Sequence, residues 1–177
     1  LKKITSVLVL SMALFTTSVV AETKVDPSQL KSVSGRHKVY NSIVVDAPID
    51  VVWNRIKDFH DFSWAPTLVK KTENVGTKDG TTVGAKRLLN GQFLDTMIAY
   101  NPADHRINYS IDSGPSPISN KEISNYVGDL HLLPITSEGK TYVEWTGSWV
   151  SDSSEAIPYM NSIYVSLLKD LAAQFKK

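Results

Sequence analysis

Residues 154–175 read SEAIPYMNSIYVSLLKDLAAQF, and their apolar side chains recur at helical spacing. Ile157, Met160, Tyr164, Leu167, Leu168, Leu171 and Phe175 fall on one stripe, while Lys169, Asp170, Gln174 and Lys176 lie elsewhere. This pattern predicts an amphipathic helix of about five turns, with one long face that must be covered. Ser153 or Ser154 ahead of Glu155 resembles a cap, and Lys176 and Lys177 at the far end complement the helix dipole.

The cover lies upstream. Strand-like runs occur near 69–75, 82–89, 93–100, 106–112, 123–133 and 141–150. Turn signals separate them: Lys78-Asp79-Gly80, Asn90-Gly91, Asn101-Pro102-Ala103-Asp104, Gly114-Pro115-Ser116-Pro117 and Ser137-Glu138-Gly139. Linkers this short pair strands antiparallel with their sequence neighbours. Alternation sets the faces. Ile107, Tyr109 and Ile111 point one way, as do Tyr126, Leu130 and Leu132, and Val143, Trp145 and Trp149; Asn108, Asp129, His131 and Glu144 take the wet side.

Before these runs, residues 38–45 form a first strand that Ala47-Pro48 ends, since proline cannot continue a ladder. Pro48, Asp50, Val52, Trp53 and Ile56 then predict a short amphipathic helix up to Phe59. A second brief helical turn over Asp61–Pro66 is stopped by its proline. The expected class is α+β: a curved seven-stranded antiparallel sheet wrapped around a long C-terminal helix, with two short helices after the first strand.

At the other end, Lys2 and Lys3 precede an apolar run from about Val7 to Phe15, followed by Val19-Val20-Ala21. This is the layout of a secretory signal peptide, with cleavage expected after Ala21. The run falls short of the roughly 20 apolar residues of a spanning helix, so no membrane anchor is expected after cleavage. The predicted organisation is a signal peptide at 1–21, a tether at 22–37 and one domain at 38–177, in the periplasm or secreted. With no cysteine in the chain, packing alone holds it together. Removal of the signal leaves 17 basic against 18 acidic side chains, which argues against nucleic acid or an anionic membrane as main partner.

Several local motifs carry a resemblance. Ala47-Pro48-Ile49-Asp50-Val51-Val52-Trp53, Phe62-Ser63-Trp64-Ala65-Pro66, Val83-Gly84-Ala85-Lys86-Arg87, Asp104 to Ile111, Asn125-Tyr126-Val127-Gly128 and Val143-Glu144-Trp145 stand in order. Together they resemble the SRPBCC or START-like superfamily over roughly Lys38 to Phe175, nearest to its polyketide cyclase/dehydrase-like branch and exported MxaD-like proteins. The resemblance implies a helix-grip fold and, from the MxaD-like group, an accessory role beside a periplasmic dehydrogenase. Asp95 stands where the family carries glutamate, and Thr96 where the next residue is often basic.

A curved sheet gripping one helix leaves a gap between them. Its expected wall is aromatic and soft: Trp64, Met97, Tyr109, Tyr126, Trp145, Trp149, Met160 and Tyr164, suited to a small apolar or aromatic ligand. The plain alternative is that these residues fill a dry core. Arg87 shares a face with Val83, Ala85 and Leu89 by alternation, so its guanidinium needs a partner: a ligand oxygen, Asp95 or Glu144. His37, His60, His105 and His131 show no ligand spacing, and no metal site or cofactor is expected. His60 is a candidate acid or base at the cavity mouth.

Two functions follow: a ligand-binding or accessory protein, and a small cyclase or dehydratase using the same cavity. A polar pair facing into the cavity favours the enzyme, and an all-apolar cavity the carrier. A filled cavity with an exposed apolar patch near Pro115 to Ile118 favours docking to another protein.

Overall fold

The computed structural model describes residues 35–176; the expected signal peptide and residues 22–34 of the tether lie outside the described residues. The chain runs β1 (Gly35–Val45), α1 (Ile49–Ile56), β2 (Thr72–Val75), β3 (Lys86–Leu89), β4 (Phe93–Asn101), β5 (Arg106–Ser113), β6 (Ser124–Ile135), β7 (Lys140–Ser151) and α2 (Ala156–Ala173). The last three tether residues, Gly35 to His37, already belong to β1, where they pair with Ser151 to Trp149.

One antiparallel sheet takes the order β1-β7-β6-β5-β4-β3-β2. Each strand neighbours its sequence successor except β1, which crosses to β7 at the opposite end of the chain. Register shifts in β4 between Met97 and Ala99, and in β6 between Ser124 and Val127, bend the sheet. α2 lies across the concave face against β1 and β7. Met160, Tyr164, Leu167, Leu168 and Leu171 are buried there, each contributing about 1.5–3 kcal/mol. Pro158 sits within the first turn of α2, where its missing N–H costs nothing, and the Glu155 N–H finds Ser153 Oγ at 3.2 Å.

Three local outcomes differ from the sequence reading. α1 stops at Ile56 because the Phe59 N–H turns away to Gly80 O at 2.8 Å. Of the two short helices only α1 forms; residues 61–66 make successive turns, with the Ala65 N–H bonded to Phe62 O at 3.0 Å. β3 begins at Lys86 because residues 82–85 close a turn, Ala85 N–H to Thr82 O at 2.9 Å, and this leaves Val83 exposed. Ile118 is 1% exposed, so the exposed apolar patch near Pro115 to Ile118 that would favour docking does not include it. Among the described residues no helix is long and apolar enough to cross a membrane.

Candidate functional site

The β3–β4 hairpin sets the polar centre of the concave face. Its register places Arg87 opposite Asp95, both inward and nearly fully buried. Arg87 Nε donates to Asp95 Oδ2 at 3.0 Å and Nη1 to Phe59 O at 3.1 Å. The guanidinium carbon stands 3.8 Å from the Phe59 ring centroid and 4.3 Å from that of Phe62, so the cation is sandwiched by π-faces as well as paired. Asp95, and not Glu144, is therefore its partner. Glu144 lies on the outer face, bonded by Tyr40 Oη.

Asp95 is only half satisfied. Its Oδ1 is buried without a hydrogen-bond partner among the described residues. Burial raises the carboxyl above its ordinary range, and the Arg87 charge and bond offset part of that rise. The guanidinium cannot give up its proton, and Asp95 is the carboxylate in contact with it. The permanent guanidinium charge 3.0 Å away favours the ionised carboxyl against the cost of burial, and the two side chains form an ion pair.

Next to the pair stands a hydroxyl cluster. Trp145 Nε1 donates to Tyr109 Oη at 3.0 Å, Tyr109 Oη lies 2.9 Å from Tyr164 Oη, and Tyr164 Oη also bonds Tyr126 Oη. Burial pushes all three phenols well above their ordinary range, so they stay neutral. Three hydroxyl protons share two oxygen–oxygen contacts, which leaves one proton for a further acceptor. Two glycines open the space. Gly128 pairs with Tyr109 on β5 and with Gly147 on β7. A Cβ on Gly128 would intrude on the Tyr109 ring, and one on Gly147 would stand 2.5 Å from Tyr126 Oη and 2.9 Å from Tyr164 Oη.

The free space is uneven. Beside the Arg87–Asp95 pair lies an inner chamber of about 40 Å³, walled by Tyr109, Trp145, Met160 and Tyr164. Toward the surface, between α2 and the β3–β4 hairpin, a pocket of about 310 Å³ is lined by Leu68, Val69, Leu89, Phe93, Tyr159, Ile163 and Leu167. Both spaces touch Leu89, Phe93, Ile163 and Leu167, so those four side chains stand between them.

The rim is pinned at two points. Asn90 Oδ1 accepts the Lys70 and Lys71 N–H groups at 2.8 and 3.1 Å, and its Nδ2 donates to Leu68 O at 2.8 Å. Asp170 on α2 accepts the Thr67 N–H and Oγ1–H, both at 2.7 Å.

Of the nine residues expected from sequence, Arg87, Tyr109, Trp145, Met160 and Tyr164 meet at the inner chamber. Trp64 touches only a gap of about 10 Å³, too small for a ligand. Met97, Tyr126 and Trp149 line none of these spaces: Met97 fills the core and Tyr126 stacks on Trp149 at 5.8 Å. The pocket's apolar residues on the rim and on α2's flank were missed. The available signal was Tyr159 and Ile163, apolar positions beside the main helical stripe. His60 lies outside the chamber, with Nε2 3.1 Å from Lys86 O. His131 is on the outer face as expected, but inside a charge cluster, 3.5 Å from Asp104 and 3.4 Å from Glu144.

The family described as polyketide cyclase / dehydrase and lipid transport matches residues 36–176. A solved protein of Nitrosospira multiformis is 62% identical, with a TM-score of 0.79 over 80% of this chain and 97% of that one. The protein XoxI of Bacillus cereus shares the fold at 22% identity and TM-score 0.65, over 78% of this chain and 94% of its own. So does major latex-like protein 151 of Panax ginseng, at 14% identity and TM-score 0.64, over 80% and 99%. No curated protein matches the sequence.

Proposed function

The chain belongs to the polyketide cyclase / dehydrase and lipid transport family of the SRPBCC superfamily, and from that premise we propose that it is an exported protein binding a small apolar or aromatic molecule. The observation that carries the reading is the pairing of spaces: an apolar pocket of about 310 Å³ beside a smaller chamber of about 40 Å³ whose wall includes Arg87, Asp95 and two tyrosines. Pockets with apolar walls and a few converging polar groups are the usual form of small-molecule sites. Export rests on the Lys2-Lys3 and Val7-to-Phe15 pattern. An accessory role beside a periplasmic dehydrogenase rests on the sequence resemblance to MxaD-like proteins.

A second reading has its own support. Arg87 and Asp95 line the chamber, and Asp95 Oδ1, buried without a partner, is the group that would take a proton from a bound molecule. A cyclase or dehydratase needs one such acid–base group and no cofactor.

Native mass spectrometry of protein purified from its own cells tests both. A co-purifying small molecule, lost from a folded Ile163→Trp variant that fills the pocket, supports binding. A loaded compound released lighter by one water marks the dehydratase. Empty wild-type protein that also takes up an apolar fluorescent dye no better than the filled variant refutes the site. A co-purifying dehydrogenase supports the accessory role.

A further inference from the structure

We propose that the ligand is electrically neutral and carries a hydroxyl group at its inner end, and that carboxylate-headed molecules are discriminated against. This specifies the ligand class of the site above and rests on that reading.

The argument begins with charge. Among the side chains lining the pocket and the inner chamber, Arg87 and Asp95 alone carry charge. Each neutralises the other at 3.0 Å, with side chains 5% and 4% exposed. Arg87 is further occupied by Phe59 O and by two ring faces. Two of the five guanidinium N–H donors are used, so Arg87 is a paired cation and the chamber carries no net charge to attract an anion, while a carboxylate brought there would meet Asp95 at close range in a desolvated space.

The hydrogen-bonding inventory then chooses the head group. Asp95 Oδ1 is an ionised oxygen with no partner, so it asks for a donor. Where Tyr126 donates to Tyr164 and Tyr164 to Tyr109, the spare hydroxyl proton of the cluster lies on Tyr109, which lines the same chamber and then asks for an acceptor. A hydroxyl group donates and accepts at once; a hydrocarbon does neither.

Size agrees with this assignment. A water needs about 10–15 Å³ of such volume. The inner chamber, at about 40 Å³, takes a hydroxyl-sized head and excludes a ring, while the pocket of about 310 Å³ takes an apolar body. Leu89, Phe93, Ile163 and Leu167, which both spaces share, are the side chains a ligand spanning them would pass.

The test is a matched series, naphthalene, 1-naphthol and 1-naphthoate, titrated calorimetrically into wild-type protein. The expected order is naphthol tightest, by roughly tenfold to a hundredfold over naphthalene, with naphthoate weakest. In Asp95→Asn the balance of charge is lost, so naphthoate gains on naphthol. Should that variant fail to fold, the wild-type ranking decides alone. Naphthalene binding as tightly as naphthol, or naphthoate binding best, overturns the inference and leaves the binding site standing. Failure of all three to bind at the pocket, with Ile163→Trp unchanged in every titration, overturns the site and this inference with it.

Discussion

Replacing Asp95 by leucine should destabilise the protein far more than replacing both members of its ion pair. The two side chains are 3.0 Å apart and almost wholly buried, which at an effective dielectric of about 20 is an attraction of roughly 5 kcal/mol. Asp95→Leu removes that attraction and leaves a guanidinium that cannot deprotonate. Its bond to Phe59 O and the two ring faces retain part of the stabilisation, so the expected loss is about 3–5 kcal/mol. Arg87→Met should cost less, because the stranded carboxyl can take up a proton. In Arg87→Met/Asp95→Leu no charge is buried, and stability should return to within about 1–2 kcal/mol of wild type or exceed it. Urea unfolding at pH 7, followed by tryptophan fluorescence, reads all four proteins. The pH dependence has a definite sign. Burial raises Asp95 in the folded state, so its contribution is full below about pH 4 and is lost as pH rises through the raised value. Arg87→Met should steepen that loss. A cost below about 1 kcal/mol for Asp95→Leu, or a double variant weaker than Asp95→Leu, would refute the reasoning.

Gly147→Ala should lower the thermal midpoint by the equivalent of about 1–3 kcal/mol, because its Cβ meets Tyr126 and Tyr164 hydroxyls within the core. Gly139→Ala, at φ +64 with open space around it, should cost only the backbone strain of about 1–2 kcal/mol and leave tyrosine fluorescence unchanged, and identical spectra for the two would count against the packing argument. Asp170→Ala should release the Thr67 anchor and speed hydrogen exchange at the Thr67 amide while barely moving global unfolding; unchanged exchange there contradicts a pinned rim. Partial burial lifts the Asp61 carboxyl, but bonds from Ser63 and Arg55 outweigh it and hold it below the usual range. Its stabilisation is therefore present above about pH 4 and lost as pH falls through the lowered value, so Asp61→Asn should flatten the acid limb of a stability–pH curve.

The strands and α2 were legible because period-2 and period-3.6 patterns report which face is covered. Ala85, Arg87 and Leu89 do share the buried face, and the inward Val143, Trp145 and Trp149 are where alternation puts them. Val83 broke the pattern because alternation holds only within a ladder, and residues 82–85 form a turn. The candidate site was legible in its polar half. Arg87 and Asp95 stood out as charges on an apolar face and at a departure from the family pattern. The apolar half was not, because its position depends on where α2 crosses the sheet. The helix packs on β1 and β7, and the β3–β4 end is left partly uncovered. Periodicity gives the covered face of a helix and says nothing about which end of a seven-stranded sheet it reaches. Tyr126 and Trp149, on β6 and β7, were equally apolar and inward, yet they lie away from the uncovered end and became core; Met97, on β4, is fully buried and lines neither space.

The buried pair itself bears on function. A hydrophobic pair of similar volume would hold this sheet together as well or better, since desolvating two charges offsets most of their mutual attraction. Stability alone therefore gives no reason for Arg87 and Asp95 to face the concave side. The hydroxyl cluster has the same character: three buried phenols and an indole N–H bond one another with one proton to spare, while two glycines give up side-chain packing to make room. Local rules broken together, at the inner end of an apolar pocket, are what the proposed binding site requires. If Arg87→Met/Asp95→Leu proves as stable as wild type yet loses the preference for naphthol over naphthalene, structure and recognition will have been separated at this pair.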